Sequence, residues 1–112
     1  MRTKYRTDIE RIMGKALDKN NIQVAYDFPI RCKYGYRIDF AISSKKIGIE
    51  CDGEHWHKEN NHHDRKRDYF LKRMGWKMIR FSGSWIKQDI NSCIDEIKKL
   101  MEEKNGKNKC ES

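Results

Sequence analysis

The sequence predicts an α/β domain, a four-stranded mixed sheet flanked by helices in the order αβββαβα. Three observations carry this reading. Two segments of alternating polarity, Tyr36 to Ile42 and Lys46 to Asp52, follow one another across a short polar break. An amphipathic run precedes them, and a helix, a strand and a further helix follow. A meander of strands and then a helical crossover to one more strand implies a mixed sheet with helices on its faces. At 112 residues the chain suits one domain with a modest core.

Thr7-Asp8-Ile9-Glu10 opens the first helix, and Ile9, Ile12, Met13, Ala16 and Leu17 recur at helical spacing to about Lys19. Ile22 to Phe28 alternates as a strand that Pro29 closes. Beyond the two central strands, Lys58-Glu59-Asn60-Asn61 reads as a polar loop. A second helix is expected from Asp64 to Met74 with Gly75 as its stop, then a strand from Trp76 to Phe81. A last helix starts near Ser84 and carries Ile86, Ile90, Cys93, Ile94, Ile97, Leu100 and Met101 in one stripe. The domain is expected over residues 1–103, and the basic segment 104–112 is expected to be a disordered tail.

The central strands hold the chemistry. Alternation sends Tyr36, Ile38, Phe40 and Ile42 to one face and Arg37, Asp39 and Ala41 to the other. In the next strand Ile47, Ile49 and Cys51 oppose Gly48, Glu50 and Asp52. The break Ser43-Ser44-Lys45-Lys46 suits a hairpin. A symmetric loop of two or four residues then sets Ile42 opposite Ile47, Phe40 opposite Ile49, and Asp39 opposite Glu50. Like charges across a ladder cost up to roughly 1 kcal/mol, so a third acid beside them argues for an offsetting cation. Clustered carboxylate oxygens suit a hard divalent ion, magnesium first and manganese as its substitute. The plain alternative is a solvated face on which Arg37 pairs with Asp52 across the strands.

Composition points to the partner. Lysine and arginine number 25 against 17 acids, a net charge of +8. Such a balance favours a polyanion, nucleic acid ahead of an acidic membrane. No apolar run approaches the length of a membrane span and no signal-peptide pattern is present, so no membrane partner and a cytoplasmic location are expected. Cys32, Cys51, Cys93 and Cys110 form no CxxC pair, and Cys51 and Cys93 read as small buried hydrophobes in a reduced protein. Arg65, Lys66, Arg67, Lys72 and Arg73 decorate the second helix, either as a solvated face or as contacts to backbone phosphates. Trp76 and Trp85 read as core, whereas Trp56 could stack on bases.

His55 and His57 share a face if their segment is extended, and a neutral imidazole can accept or deliver a proton near neutral pH. His62 and His63 make no recognised zinc set with the residues around them, so zinc is not expected. Glu10 has two readings. It completes the capping-box pattern Thr7-x-x-Glu10, and it also borders the apolar stripe, from which it could reach the sheet.

The element order, Ile38-Asp39-Phe40, Ile49-Glu50-Cys51-Asp52-Gly53 and Trp56-His57 resemble the PD-(D/E)XK nucleases. Within that superfamily they resemble the very-short-patch-repair (Vsr) type, which includes phage homing endonucleases with a Vsr-like catalytic domain. Asp64-Arg65-Lys66-Arg67-Asp68 and the stretch from Gly75 to Phe81 extend the similarity over roughly residues 5 to 100. The resemblance implies a restriction-endonuclease-like fold and a magnesium-dependent endonuclease acting on double-stranded DNA in a bacterial or phage-infected cell. The role would be homing or mismatch-type nicking. It implies Asp39 as central metal ligand, the Cys51 backbone carbonyl as a second, His57 near the scissile phosphate, and Glu10 approaching the site. The superfamily's usual lysine is here Asp52, and the repair enzymes' structural zinc cysteines have no counterpart. The resemblance gives Glu50 less weight, because the repair enzymes do not require an acid there. A non-catalytic DNA-binding module and an RNA-directed nuclease are the other readings. So small a domain would need a homodimer or an additional DNA-reading segment to recognise a long target.

Overall fold

The computed structural model describes residues 5–32, 35–52 and 59–111, with side chains placed except at 59–64 and 104–111. Helix α1 (Asp8–Lys19) starts where Thr7 accepts the Glu10 N–H on its hydroxyl at 3.2 Å, and it buries Ile9, Met13 and Leu17. Strands β1 (Ala25–Pro29), β2 (Arg37–Ile42) and β3 (Ile47–Asp52) form an antiparallel meander. Helix α2 (Glu59–Arg73) then crosses to β4 (Lys77–Ser82), which runs parallel to β3. The sheet order is β1-β2-β3-β4. The expected four-stranded mixed sheet with flanking helices is the observed one.

Four boundaries differ from the sequence reading. Strand β1 is shorter, and Ile22 is a buried core residue ahead of it. Helix α2 begins at Glu59, inside the expected polar loop. The last helix is two, α3 (Gly83–Gln88) and α4 (Ile90–Glu111), because Asp89 leaves helical geometry and accepts the Ser92 N–H on its carboxylate at 3.2 Å. An aspartate there is an N-cap and restarts the helix. Finally, the backbone of 104–111 continues α4 rather than forming an irregular tail. That run has no proline to end the helix, although Asn105, Gly106 and Asn108 weaken its propensity.

Both faces of the sheet are covered. One core joins Ile9, Met13 and Leu17 of α1 to Phe40, Ile42, Ile47, Ile49 and Phe81 of the sheet, and to Ile86 of α3 and Cys93, Ile94 and Ile97 of α4. The second lies under α2 and holds Ile38, Ala41, Leu71 and Trp76, with Phe28, Tyr36 and Phe70 against it. Strand β2 therefore does not keep one apolar face: Tyr36 and Ile38 belong to the α2 side, Phe40 and Ile42 to the other. The same switch occurs on β1 between Tyr26 and Phe28. Between them Asp27 has φ +55°, a left-handed conformation that turns the strand over in the middle of its pairing.

Gly75 closes α2 with φ +93°, and the Trp76 N–H reaches the Leu71 carbonyl at 2.9 Å. This is the Schellman arrangement, which only glycine enters without cost. Gly75→Ala should lower stability by about 1 kcal/mol in urea denaturation, with the m-value unchanged.

Candidate active site

The hairpin turn is the four-residue one, with the Lys45 N–H bonded to the Ile42 carbonyl at 3.1 Å. It fixes the expected register: Ile42 opposite Ile47 and Phe40 opposite Ile49. Backbone pairing of β2 with β3 stops there. Beyond it the two carboxylates take over the ladder. Glu50 Oε2 accepts the Asp39 N–H at 3.1 Å, and Asp39 Oδ2 accepts the Cys51 N–H at 2.9 Å. The acids that alternation set face to face are thus built into the gap where the strands part.

Burial shapes their chemistry. Glu50 is 6% exposed. Loss of solvent, then the Asp39 charge, push its carboxyl up to about 7, against the partial relief of Arg67. Asp39 is also raised, chiefly by burial and then by the Glu10 charge, while the Cys51 N–H and Arg67 pull it down. Burial and the surrounding acids drive the Cys51 thiol well above its ordinary range, so it is inert packing. The Cys93 thiol, pushed up to about 11 by burial, is likewise inert.

Asp52 departs from the expected trio. Its carboxylate lies 3.1 Å from Arg80 Nε, and Arg80 also forks onto Asp68 at 3.1 and 3.3 Å. The Arg37–Asp52 pair of the plain alternative is not formed. Arg37 instead donates to the Asp27 carboxylate at 2.7 Å and to its carbonyl at 2.9 Å. Among the described residues, no three His, Cys, Asp or Glu side chains gather as a metal-holding set. The candidate centre is the pair Asp39–Glu50. A pair still fits a magnesium-type ion, which keeps several waters and takes one or two carboxylates. Asp39 Oδ1 carries no hydrogen bond from the described residues.

Glu10 takes the second of its readings. Thr7 caps its N–H, but its carboxylate, 7% exposed, turns to the sheet rather than closing a capping box on the Thr7 N–H. There Oε1 accepts the Tyr26 hydroxyl at 2.6 Å and the Arg6 N–H at 3.1 Å. Tyr26 stacks edge-on against Tyr5 at 4.9 Å and lies against Phe40 at 5.4 Å, which fixes the hydroxyl. Burial and the Glu10 bond raise the phenol above its ordinary value.

Arg67 is not on the outer face of α2. It donates to Glu50 Oε1 at 3.1 Å and is the cation of the centre. Its spacing could have shown this, since Phe70 and Leu71 of the second core follow it at i+3 and i+4. Arg65, Lys66, Lys72 and Arg73 are exposed as expected, with Tyr69 beside Arg73 at 3.2 Å. Trp76 is core, but Trp85 packs on Phe81 with 37% of its surface open. His55, Trp56 and His57 lie outside the described residues, as do the side chains of His62 and His63.

Comparison with known proteins agrees with this architecture. An uncharacterized protein of Haemophilus influenzae is 25% identical over 97 residues, covering 86% of this chain and 80% of its own. The solved catalytic domain of the homing endonuclease I-Bth0305I superposes with a TM-score of 0.74 at 22% identity, over 88% of this chain and 98% of that one. The mixed sheet with its flanking helices is that domain's fold. The restriction-endonuclease-like family model REase_MTES_1575 matches residues 10–101, from the buried Glu10 through both carboxylates to the core face of α4, and the chain belongs to that family.

Proposed function

We propose that this domain is a metal-dependent endonuclease that hydrolyses phosphodiester bonds in double-stranded DNA. The carrying observation is the buried Asp39–Glu50 pair, two carboxylates each anchored on a backbone N–H at the point where two strands separate. A fold that places two acids out of water with one arginine on Glu50 leaves charge that a divalent cation would offset. Asp39 and Glu50 would hold magnesium or manganese. The Cys51 carbonyl would assist, since in an antiparallel pair N–H and C=O of one residue face the same neighbour. When bound, the metal polarises the phosphate and stabilises the charge that develops during displacement.

The chain's own groups do the rest. Glu10, fixed by Tyr26 and the Arg6 N–H, is positioned to orient an attacking water. His57, with His55, would move protons. Asp52 would act through Arg80 rather than on the metal. The exposed Arg65, Lys66, Lys72 and Arg73 would lie along backbone phosphates, which position a duplex without reading its sequence. Trp56 would stack at the cleavage point. Membership of a restriction-endonuclease-like family and the fold of a homing endonuclease catalytic domain both support a catalytic module of this kind. Its natural target would then be set by a second copy or by a further DNA-reading segment.

Supercoiled plasmid incubated with the protein and magnesium or manganese should be nicked or linearised, and EDTA should stop the reaction. Duplex binding with no cleavage at any protein concentration in either metal would replace this reading with a non-catalytic DNA-binding module.

A further inference from the structure

The strand registers align one row of charged residues across the whole sheet. Asp39 lies between the pairs Tyr26–Phe40 and Phe28–Ile38, so its neighbour on β1 is Asp27. On its other side follows Glu50, and Glu50 pairs with Arg80 of β4. The carboxylate pair is thus bordered on the β1 side by Asp27, the residue at which the strand turns over with φ +55°. Asp27 carries two arginines. Arg37 Nε is 2.7 Å and Arg6 Nη2 is 3.6 Å from the same oxygen, Oδ1, and Arg37 also grips the Asp27 carbonyl.

The two ion pairs return little of the backbone cost of this arrangement. A left-handed residue other than glycine costs roughly 1 kcal/mol or more. The side chains of Arg6 and Arg37 are 66% and 53% exposed, and ion pairs that open are worth about 0–1 kcal/mol. The pairing does not recover the backbone cost. What it does achieve is placement. One carboxylate cannot neutralise two guanidinium groups, so a net positive charge remains. That charge stands one strand from Asp39. A polyanion approaching Glu10, Asp39 and Glu50 meets repulsion unless cations flank them. Arg67 and α2 supply these on one side. On the β1 side, among the described residues, Arg6 and Arg37 supply them.

We propose that Arg6 and Arg37, braced on Asp27, form a phosphate-binding clamp on the β1 side of the carboxylate pair, engaging the DNA backbone next to the bond to be cut. The proposal rests on the nuclease reading and adds the residues that seat the substrate. Guanidinium forks suit phosphate oxygens, and contacts of this type hold register without sequence preference.

Binding of a fluorescein-labelled duplex, followed by anisotropy from 50 to 200 mM KCl with calcium in place of magnesium, tests it. Arg6→Ala and Arg37→Ala should each reduce the slope of log K against log salt by about one and weaken binding about equally for unrelated sequences. Arg6→Lys should restore the slope, since a point charge still neutralises a phosphate. Lys99→Ala, which removes one charge from an exposed position on α4, should leave the slope unchanged. The Arg6 side chain is 66% exposed and its ion pair with Asp27 is long, so its variant retains the fold even if Arg37→Ala loosens β1. In cleavage assays with magnesium, Arg6→Ala should raise KM more than it lowers kcat. If the wild type binds and both alanine variants keep its slope, the clamp is refuted while the nuclease reading stands. If the wild type binds no duplex at 50 mM KCl, both fall together.

Discussion

Replacing Asp39 by Asn will lower metal-dependent DNA cleavage by at least about a thousandfold, since the lost charge stabilisation amounts to several kcal/mol. The same change will stabilise the metal-free protein at pH 8. The two effects have one cause. Burial and the Glu10 charge both oppose ionisation of Asp39. An Asn oxygen can still accept the Cys51 N–H, so the bond that replaces the ladder survives. The repulsion on Glu50, for which Asp39 is the main charged source, disappears. A rise of a few degrees in Tm is expected, as about 1 kcal/mol shifts a domain of this size by roughly 4–8 °C. Tm by calorimetry and plasmid cleavage should be measured on one preparation. Wild-type cleavage by Asp39→Asn would remove Asp39 from the site. Loss of cleavage together with a lower Tm would make the defect one of folding.

The pairing of Asp39 with Glu50 was legible because a symmetric hairpin loop admits one register, and the side-chain period of a strand then fixes which residues meet. The element order was legible for a similar reason, each run having a clear period and a stop such as Gly75. What the pattern could not carry was the backbone of Asp27. An aspartate in left-handed conformation leaves no trace in hydrophobic alternation, yet it turns β1 over and places Phe28 and Tyr26 in different cores. The fate of Asp52 was hidden too. Alternation sets it on the same side of β3 as Glu50, but a tertiary network through Arg80 and Asp68 decides what its carboxylate touches. Arg67 shows the converse failure. Seen within a run of charges it reads as surface, and only its spacing to Phe70 and Leu71 marks it as inward. The Asp89 restart of α4 went unread, because the apolar stripe continues across it.

Stability of the metal-free protein will fall as pH rises from about 4.5 to 7, and a divalent cation will reverse the fall. Glu50 has an ordinary value of 4.5 and is raised to about 7 in the fold, by burial first and the Asp39 charge second. Between those values the native state binds more protons than the unfolded chain, so unfolding free energy decreases with pH. Below the window both states are protonated and Glu50 contributes nothing. Above it the full penalty applies, about 3 kcal/mol for a shift of this size. Asp39, raised as well, acts in the same direction. Asp27 does the opposite, being held below its ordinary 3.8 first by the Arg37 bond, but its window lies under that of Glu50. Magnesium competes with protons for the carboxylates, so its stabilisation should be large at pH 8 and nearly absent at pH 4.5. Urea denaturation at these two values, with and without 10 mM magnesium, reads the linkage directly. Glu50→Gln should flatten most of the pH dependence of the metal-free protein and weaken the response to magnesium. A magnesium effect of equal size at both pH values would place the cation away from this pair, and a flat metal-free profile in the wild type would show that Glu50 keeps its solution acidity.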